Sequence, residues 1–274
     1  MSDRPATRLT ARILGCGSSG GVPRIGNVWG ACDPENPRNR RLRCALLITG
    51  TRDDTDGITR VLIDAGPDLR EQMLAAQAPE IDAVFFTHEH ADHTHGIDDL
   101  RVLAFNAKRR VDAYMSTATE VRLREAFGYC FTAPQGSSYP PILNTNSIAD
   151  GEEIVIDGAG GTVTLRPFEQ QHGSITSLGF RIGKFAYSCD LSGIPETSHW
   201  AIENLDTWVL DALRYTPHPS HLDLEQALAL IETHRPQQAV LTNLHVDLDY
   251  VTLGAETPGN VTPAFDGMEI DIRL

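Results

Sequence analysis

Short apolar runs recur along the chain, and segments with helical periodicity separate several of them. Runs such as "CALLIT", "RVLIDAG", "AVFFT", "SLGFRI" and "QAVLTNL" predict β-strands. The segments "PDLREQMLAAQA", "IDDLRVLAFNA", "ATEVRLREAFG" and "HLDLEQALALIETH" predict helices, and the last carries Leu224, Leu228 and Ile231 at helical spacing. Many short strands with interspersed helices predict an α/β or α+β fold of packed layers.

The composition is that of a globular protein with no repeat or low-complexity tract. Hydrophobic residues make up 41% of the 274 positions and charged residues 22%. We expect one domain over residues 1–274. The formal net charge of −14 argues against a broad electrostatic grip on a long nucleic acid. A small anionic substrate remains compatible if metal ions or local arginines reverse the field inside a cleft.

The N-terminal segment and the cysteines predict a cytoplasmic location. The opening "MSDRPATRLTARILG" lacks the apolar core of a signal peptide. No apolar stretch approaches the roughly 20 residues that span a bilayer, so we expect no membrane partner. The five cysteines lie far apart without a C-x-x-C pair, which favours a reducing compartment over a disulfide framework.

The stretch "GCGSSG" from Gly15 to Gly20 matches the G-x-G-x-x-G pattern of dinucleotide-binding loops. A dinucleotide site also needs the last glycine to open a helix. The residues that follow, "GVPRIGNVWG", are typical of a loop. The pattern therefore favours a tight glycine turn.

The stretch "VFFTHEHADHTHG" carries the strongest chemical signal. Side chains of an extended chain alternate with period two, so His88 and His90 are expected on the same side, where they can hold one divalent ion. Asp92 and His93 then come from the following turn and can face a second ion beside the first. On ligand type we expect zinc, with manganese or iron as alternatives.

The motif "THEHADH" resembles the signature of the metallo-β-lactamase superfamily. That resemblance implies a four-layer αββα sandwich with two β-sheets between outer helices. It also implies that His172 in "EQQHGS" is the third histidine of the first metal and that Asp190 in "YSCDLSG" bridges both ions. The segment "LIDAG", with Asp64 and Gly66, is similar to a supporting turn of the family.

Within the superfamily, three segments resemble the branch of carbon–phosphorus lyase phosphodiesterases and tRNA 3′-processing nucleases. They are "GCGSSGGVP", "HPSHLDLEQAL" and "FDGMEI". The second implies a catalytic histidine just ahead of a helix, where His221 fits and His218 is the rival. His221 would stabilise the phosphoryl oxygen or protonate the leaving alkoxide. Asp92 is expected to be catalytic as well as metal-binding.

Two positions depart from the family pattern. Asn243 in "LTNLHVD" stands where the family has a histidine that binds the second metal. We expect His245 to be that ligand, because period two puts it on the face of Asn243. Some relatives also bind a third, structural zinc through a cysteine cluster, but only Cys32 stands near that loop, so we expect no such site.

The basic run "PRNRRLRC" leaves two interpretations open. Its arginines can hold a phosphate by bidentate hydrogen bonds, or they can form a solvated basic loop. They are Arg38, Arg40, Arg41 and Arg43.

The resemblance implies a dinuclear metal-dependent hydrolase. The first ion would be held by His88, His90 and His172 and the second by Asp92, His93 and His245, with Asp190 between them. We expect a phosphodiesterase for a small nucleotide-like or cyclic phosphate ester. The alternatives are a hydrolase of lactone, thioester or β-lactam bonds and a non-catalytic metal-binding carrier. The sequence leaves the oligomeric state open, with a homodimer as one option.

Overall fold

Two seven-stranded β-sheets form the centre of the computed structural model, which describes residues 4–273. The first sheet has the order β14-β1-β2-β3-β4-β5-β6 and the second the order β13-β12-β11-β10-β9-β8-β7. The strands of the first sheet are β1 (Arg8–Gly15), β2 (Ala45–Thr51), β3 (Ile58–Ile63), β4 (Ala83–Phe85), β5 (Val111–Met115), β6 (Leu143–Ser147) and β14 (Glu269–Ile272). Those of the second are β7 (Ile154–Ile156), β8 (Val163–His172), β9 (Ile175–Ile182), β10 (Phe185–Ser188), β11 (Thr207–Asp211), β12 (Gln238–Thr242) and β13 (Val261–Pro263).

Helices lie along the connections between strands. The α-helices are α1 (Leu69–Ala75), α2 (Ala91–Thr94), α3 (Leu100–Ala107), α4 (Thr117–Phe131), α5 (Leu224–His234) and α6 (Tyr250–Glu256). Three short 3₁₀ helices cover Pro37–Asn39, Ile97–Asp99 and Glu196–Ala201. Within residues 4–273 no helix is long and apolar enough to cross a membrane.

Most of the buried apolar side chains lie in three layers. The central one joins the two sheets, with Ile63 and Phe85 from the first and Tyr187 from the second. Because side chains alternate along a strand, neighbours such as Leu62 face outward, where they pack against α1, α3 and α4. On the far side, β11 and β12 pack against α5 and α6, with Trp208 at the centre. This arrangement confirms the predicted four-layer αββα sandwich.

The strands and helices predicted from the longer apolar runs are all present, whereas several short elements were not predicted. These are β6, β7, β13, β14, α2 and α6, none longer than seven residues. In β14 the sequence "EIDI" alternates acidic and apolar residues at the edge of the first sheet. So few residues give too short a periodic pattern to separate strand from loop.

The glycine-rich segment after β1 is an irregular loop, and the next helical element in the described chain begins only at Pro37. This agrees with a glycine turn and not with a dinucleotide-binding helix start. Asp266 anchors the segment: its two carboxylate oxygens accept hydrogen bonds from the backbone N–H groups of Cys16 at 3.1 Å and Leu42 at 2.7 Å. The segment "FDGMEI" therefore ties the C-terminal part of the chain to the entrance of this loop.

Replacing Asp266 by Ala is expected to lower the free energy of unfolding by about 1–3 kcal/mol, because two backbone donors lose their acceptor. Urea denaturation followed by circular dichroism measures the change. Asp271, an exposed carboxylate on β14, is the matched control, and Asp271→Ala should change stability by less than about 0.5 kcal/mol. Equal stabilities of the two variants would contradict this role for Asp266.

Candidate metal centre

Several strands end at the same edge of the sandwich and deliver polar side chains there. In the second sheet, β8 and β10 are each antiparallel to β9, so they run in the same direction, and β10, β11 and β12 are parallel. Their carboxyl ends therefore lie side by side. His172 ends β8, Asp190 follows β10 and Asn243 follows β12. The histidine stretch follows β4 of the first sheet and meets them.

His88, His90, His172 and Asp190 form one compact group. One ligand atom from each lies within 4.8 Å of the others. Oδ2 of Asp190 is 3.7 Å from Nε2 of both His88 and His172, and Nδ1 of His90 is 3.1 Å from Nε2 of His172. The structure thus brings together the three histidines and the carboxylate that were predicted for the first metal.

A second group forms around the other oxygen of Asp190. Nε2 of His93 is 3.3 Å from Oδ1 of Asp190 and 3.5 Å from Oδ2 of Asp92. Asp92 and His93 lie on α2, which begins directly after His90. The turn approaches Gly66 so closely that a Cβ there would lie 2.0 Å from the carbonyl oxygen of Asp92. Asp190 is therefore the residue that the two groups share, as predicted for a bridging carboxylate.

Hydrogen bonds at the outer ring nitrogens fix how the imidazoles face the centre. Nδ1 of His93 lies 2.7 Å from Asp64, Nδ1 of His88 lies 2.9 Å from the hydroxyl of Thr87, and Nδ1 of His172 lies 2.7 Å from the carbonyl oxygen of Ser220. Such outer partners orient metal-binding histidines in proteins. They leave the Nε2 atoms of all three rings directed at Asp190.

The donor set fits divalent metal ions. His88 is completely buried, and its Nε2 has no hydrogen-bond partner within residues 4–273. A buried nitrogen without a partner costs free energy, which a coordinated cation would recover. Burial lowers the pKa of His88 well below its ordinary value and also lowers the pKa of His172, which favours the neutral imidazole that binds metals.

The carboxylates impose the opposite effect on one ring. Burial alone would lower the pKa of His93, but the charges of Asp190 and Asp64 outweigh it and raise that pKa well above its ordinary value. Burial would raise the pKa of Asp190, yet the neighbouring His93 and His88 hold it well below its usual range. The second group thus favours positive charge beside Asp190.

His221 lies beside the metal groups and is held by a buried carboxylate. Its Nδ1 is 2.9 Å from Oδ2 of Asp211, and its Nε2 is 3.9 Å from Oδ2 of Asp190. Burial raises the pKa of Asp211 to about 6. Burial would lower the pKa of His221, but the bond to Asp211 raises it above its ordinary value. Within residues 4–273 the rival His218 has no carboxylate partner, and its Nδ1 accepts a hydrogen bond from the backbone N–H of Ser220 at 3.3 Å.

Asn243 and His245 have different partners in the structure. Nδ2 of Asn243 donates to Oδ1 of Asp190 at 3.0 Å, so this amide lies at the second group. His245 instead contacts Arg24 and lies 2.9 Å from Asp247, outside both ligand groups of the described chain. Alternation failed here because β12 ends at Thr242 and Asn243 has a left-handed φ of 61°. His245 still lines the same cleft as Asn243, and its role as a ligand of the second metal stays a prediction.

A cleft of about 220 Å³ opens above the two groups. Apart from the ligand side chains, most of its wall is basic or hydroxylic, with one apolar residue and one amide, and it carries no further carboxylate within the described residues. The wall residues are Ser18, Ser19, Arg24, Leu213, Arg214, His218, His221, Asn243 and His245. A Cβ atom at Gly20 would lie 3.2 Å from Cγ of Arg24. The absence of a side chain at Gly20 therefore leaves room for this arginine at the wall.

The arginine run does not line this cleft, and three of its members have structural contacts. Arg38 packs on the rings of Tyr250 and Phe265. Arg41 is buried and donates to the carbonyl oxygen of Leu248 at 2.7 Å, and Arg43 pairs with Asp68 at 2.9 Å. Arg40 is exposed.

A family model described as a β-lactamase superfamily domain matches residues 59–243, which include both ligand groups. The chain belongs to the metallo-β-lactamase superfamily. Its relatives with solved structures include a diphosphatase from the PhnP family, which is 32% identical with a TM-score of 0.84 over 97% of this chain and 98% of that one. The short form of human tRNase Z shares the fold at 17% identity, with a TM-score of 0.61 over 97% and 100% of the two chains.

A further relative is longer than the chain described here. The protein named octanoyltransferase from Porphyromonas gingivalis (strain ATCC BAA-308 / W83) is 32% identical over 262 residues, which are 94% of this chain and 50% of that protein. The chain thus spans about half the length of the curated relative it matches.

Sequence reasoning missed three residues that shape the centre. Asp211 holds His221, Ser220 supplies the carbonyl that orients His172, and the thiol of Cys189 lies 3.1 Å from Oδ1 of Asp190. Asp211 was visible only as a carboxylate at the end of the apolar run "TWVLD". A charged residue at the end of a buried strand was the available signal.

Asp64→Asn is expected to weaken zinc binding by about 10–100-fold, because Asp64 orients His93 without touching the metal position. Asparagine tolerates the left-handed φ of 66° at this position, so the backbone is retained. Competition against a chromophoric chelator measures the affinity, and the exposed Asp53→Asn is the control. Unchanged zinc affinity in a folded Asp64→Asn protein would contradict the orienting role.

Proposed function

We propose that the chain is a dinuclear metal-dependent phosphodiesterase for small nucleotide-like or cyclic phosphate esters. The observation that carries the proposal is the position of His221. This histidine is hydrogen-bonded to Asp211 and lines the basic cleft above the two ligand groups that share Asp190. A ligand cluster alone is compatible with storage or transport of metal. A histidine positioned by a buried carboxylate beside that cluster favours catalysis.

The ligand residues would hold two divalent ions. The first group offers His88, His90, His172 and Asp190, and the second offers Asp92, His93 and Asp190. Bound there, the ions would stabilise the negative charge that develops when a phosphate ester is attacked. Zinc is the expected metal on ligand type, with manganese or iron as alternatives.

His221 is suited to protonate the leaving oxygen. Its Nδ1 is engaged by Asp211, so Nε2 is the atom that faces the cleft. The hydrogen bond fixes the tautomer and the orientation of the ring, as a carboxylate does for other catalytic histidines. In this position a proton on Nε2 passes to an alkoxide leaving group without passing through bulk water.

The walls of the cleft support an anionic and compact substrate. Arg24 and Arg214 lie on the wall, and Nε and Nη2 of Arg214 donate to the carbonyls of Thr216 and Pro217, which fixes its guanidinium. A cleft of about 220 Å³ accommodates part of a small ester, not a polymer. The acidic net charge further disfavours a long nucleic acid as substrate.

The state of the cysteines supports a cytoplasmic location. All five cysteines are buried and unpaired. Free thiols of this kind suit the cytoplasm, where we place the protein.

The test is hydrolysis of bis-p-nitrophenyl phosphate by the 274-residue chain of known metal content, beside nitrocefin and an acyl thioester. The thioester is included because the longer curated relative is named for an acyl-transfer activity. Turnover of the phosphodiester alone, with about two metals per chain, supports the proposal. Full metal occupancy with no phosphodiesterase activity overturns it and favours an acyl hydrolase or a carrier.

His221→Ala is expected to lower kcat by about 10²–10⁴-fold while both metals stay bound, because a positioned proton donor is lost. His234→Ala, on α5 away from the cleft, should retain the wild-type rate. Steady-state kinetics and metal analysis of both variants check this. A wild-type kcat in His221→Ala would favour the carrier over the enzyme.

Arg214→Gln is expected to raise KM for the phosphodiester by about 10-fold or more with a smaller effect on kcat, because a charged hydrogen bond to the substrate is lost. Arg122→Gln removes an exposed surface arginine of α4 and is the control. If Arg214→Gln leaves KM unchanged, the arginine does not bind substrate.

A further inference from the structure

The second ligand group has one histidine, whereas the first has three. It contains one imidazole, from His93, and the carboxylates of Asp92 and Asp190. The amide of Asn243 stands beside it as a donor to Asp190, and His245 is turned toward Asp247. A zinc ion takes four or more ligands in proteins, so this group has room for another donor.

The thiol of Cys189 lies at this position. Its Sγ is 3.1 Å from Oδ1 of Asp190, the oxygen that faces His93. Ligand atoms of His93, Cys189 and Asp190 all lie within 4.8 Å of one another, and all three residues are buried. These separations are compatible with a common ion at bond lengths of about 2.3 Å for sulfur and about 2.0–2.1 Å for nitrogen.

The backbone explains how two consecutive residues reach one site. In an extended strand, the side chains of residues 189 and 190 would point to opposite faces. Asp190 has a left-handed φ of 55°, directly after β10 and Cys189. This turn brings its carboxylate back toward the thiol.

A second observation concerns the other oxygen of the same carboxylate. Nε2 of His88 is fully buried, has no hydrogen-bond partner in the described chain and lies 3.7 Å from Oδ2 of Asp190. The carboxylate that Cys189 touches is therefore also the one toward which an unsatisfied nitrogen points. Positive charge between these groups would satisfy both.

We propose that Cys189, as a thiolate, is a ligand of the second metal ion, together with Asp92, His93 and the shared Asp190. The inference rests on the proposed dinuclear centre. On binding, the Cys189 S–H bond breaks, the sulfur–metal bond forms with the electron pair of the thiolate, and the proton leaves to solvent through the cleft. A thiolate favours zinc over the harder manganese ion, so the second site would select zinc.

The competing interpretation is a buried cysteine whose S–H donates to Asp190. Cys189 also contacts the thiol of Cys44, which in turn contacts the carbonyl of Gly17. In that case sulfur would never bond to the metal. The two interpretations differ in one spectroscopic signature.

The experiment replaces zinc by cobalt(II) in the full-length protein and follows the near-ultraviolet thiolate-to-cobalt charge-transfer band during titration. We expect the band to grow with the second equivalent of cobalt and to be absent in Cys189→Ser. Cys130→Ser, a buried cysteine on α4, should keep it. Zinc affinity at the second site should fall by about 100-fold or more in Cys189→Ser, beyond the effect of outer-shell partners.

Binding of two cobalt ions without the band, a band that persists in Cys189→Ser, or no cobalt binding would each overturn the inference. Circular dichroism and the visible cobalt bands of the first site report whether Cys189→Ser is folded, and Cys189→Ala gives a second replacement. The proposed function fails separately: a charge-transfer band without phosphodiester turnover leaves the ligand assignment in place. Turnover without the band leaves the activity in place.

Discussion

The buried carboxylate of Asp190 is the charge on which the centre depends. A buried carboxylate costs several kcal/mol unless it is paired and hydrogen-bonded. Here it is 3% exposed, and the imidazoles of His88, His93 and His172 surround it together with the amide of Asn243. Because these partners come from both sheets, the pairing of one charge requires the two sheets to pack in one arrangement. The apolar layer between the sheets and the polar edge therefore stabilise the same geometry.

The same edge shows how backbone conformation and chemistry coincide. Asp64, Asp190 and Asn243 each lie within two residues of a strand end and have φ values of 66°, 55° and 61°. Aspartate and asparagine enter the left-handed region more readily than other non-glycine residues. Their short polar side chains also reach the centre from a sharply turned chain. Aspartate and asparagine thus meet a conformational and a chemical requirement at these three positions.

These turns also explain what the sequence could and could not predict. The layered fold follows from long apolar runs, and the spacing of His88, His90, Asp92 and His93 is local enough to indicate a metal centre. Period-two reasoning assumes an extended chain. It therefore does not carry over from Asn243 to His245, because both residues lie beyond the end of β12. The proximity of Asp211 to His221 depends on how the loop between β11 and α5 folds back, with the backbone N–H of Leu213 donating to the carbonyl oxygen of Leu222, and no local pattern encodes that path.

The charge distribution links the proposed chemistry to substrate size. The protein as a whole is acidic, with a formal net charge of −14, whereas the cleft wall carries Arg24 and Arg214 above ligands that favour cations. Two divalent ions would exceed the negative charge of Asp92 and Asp190, and a thiolate from Cys189 would still leave the centre positive. A small anion that enters the cleft meets this local field. A polyanion would also have to lie along the acidic exterior, where repulsion opposes it. The asymmetry between surface and cleft thus supports the proposed preference for compact phosphate esters.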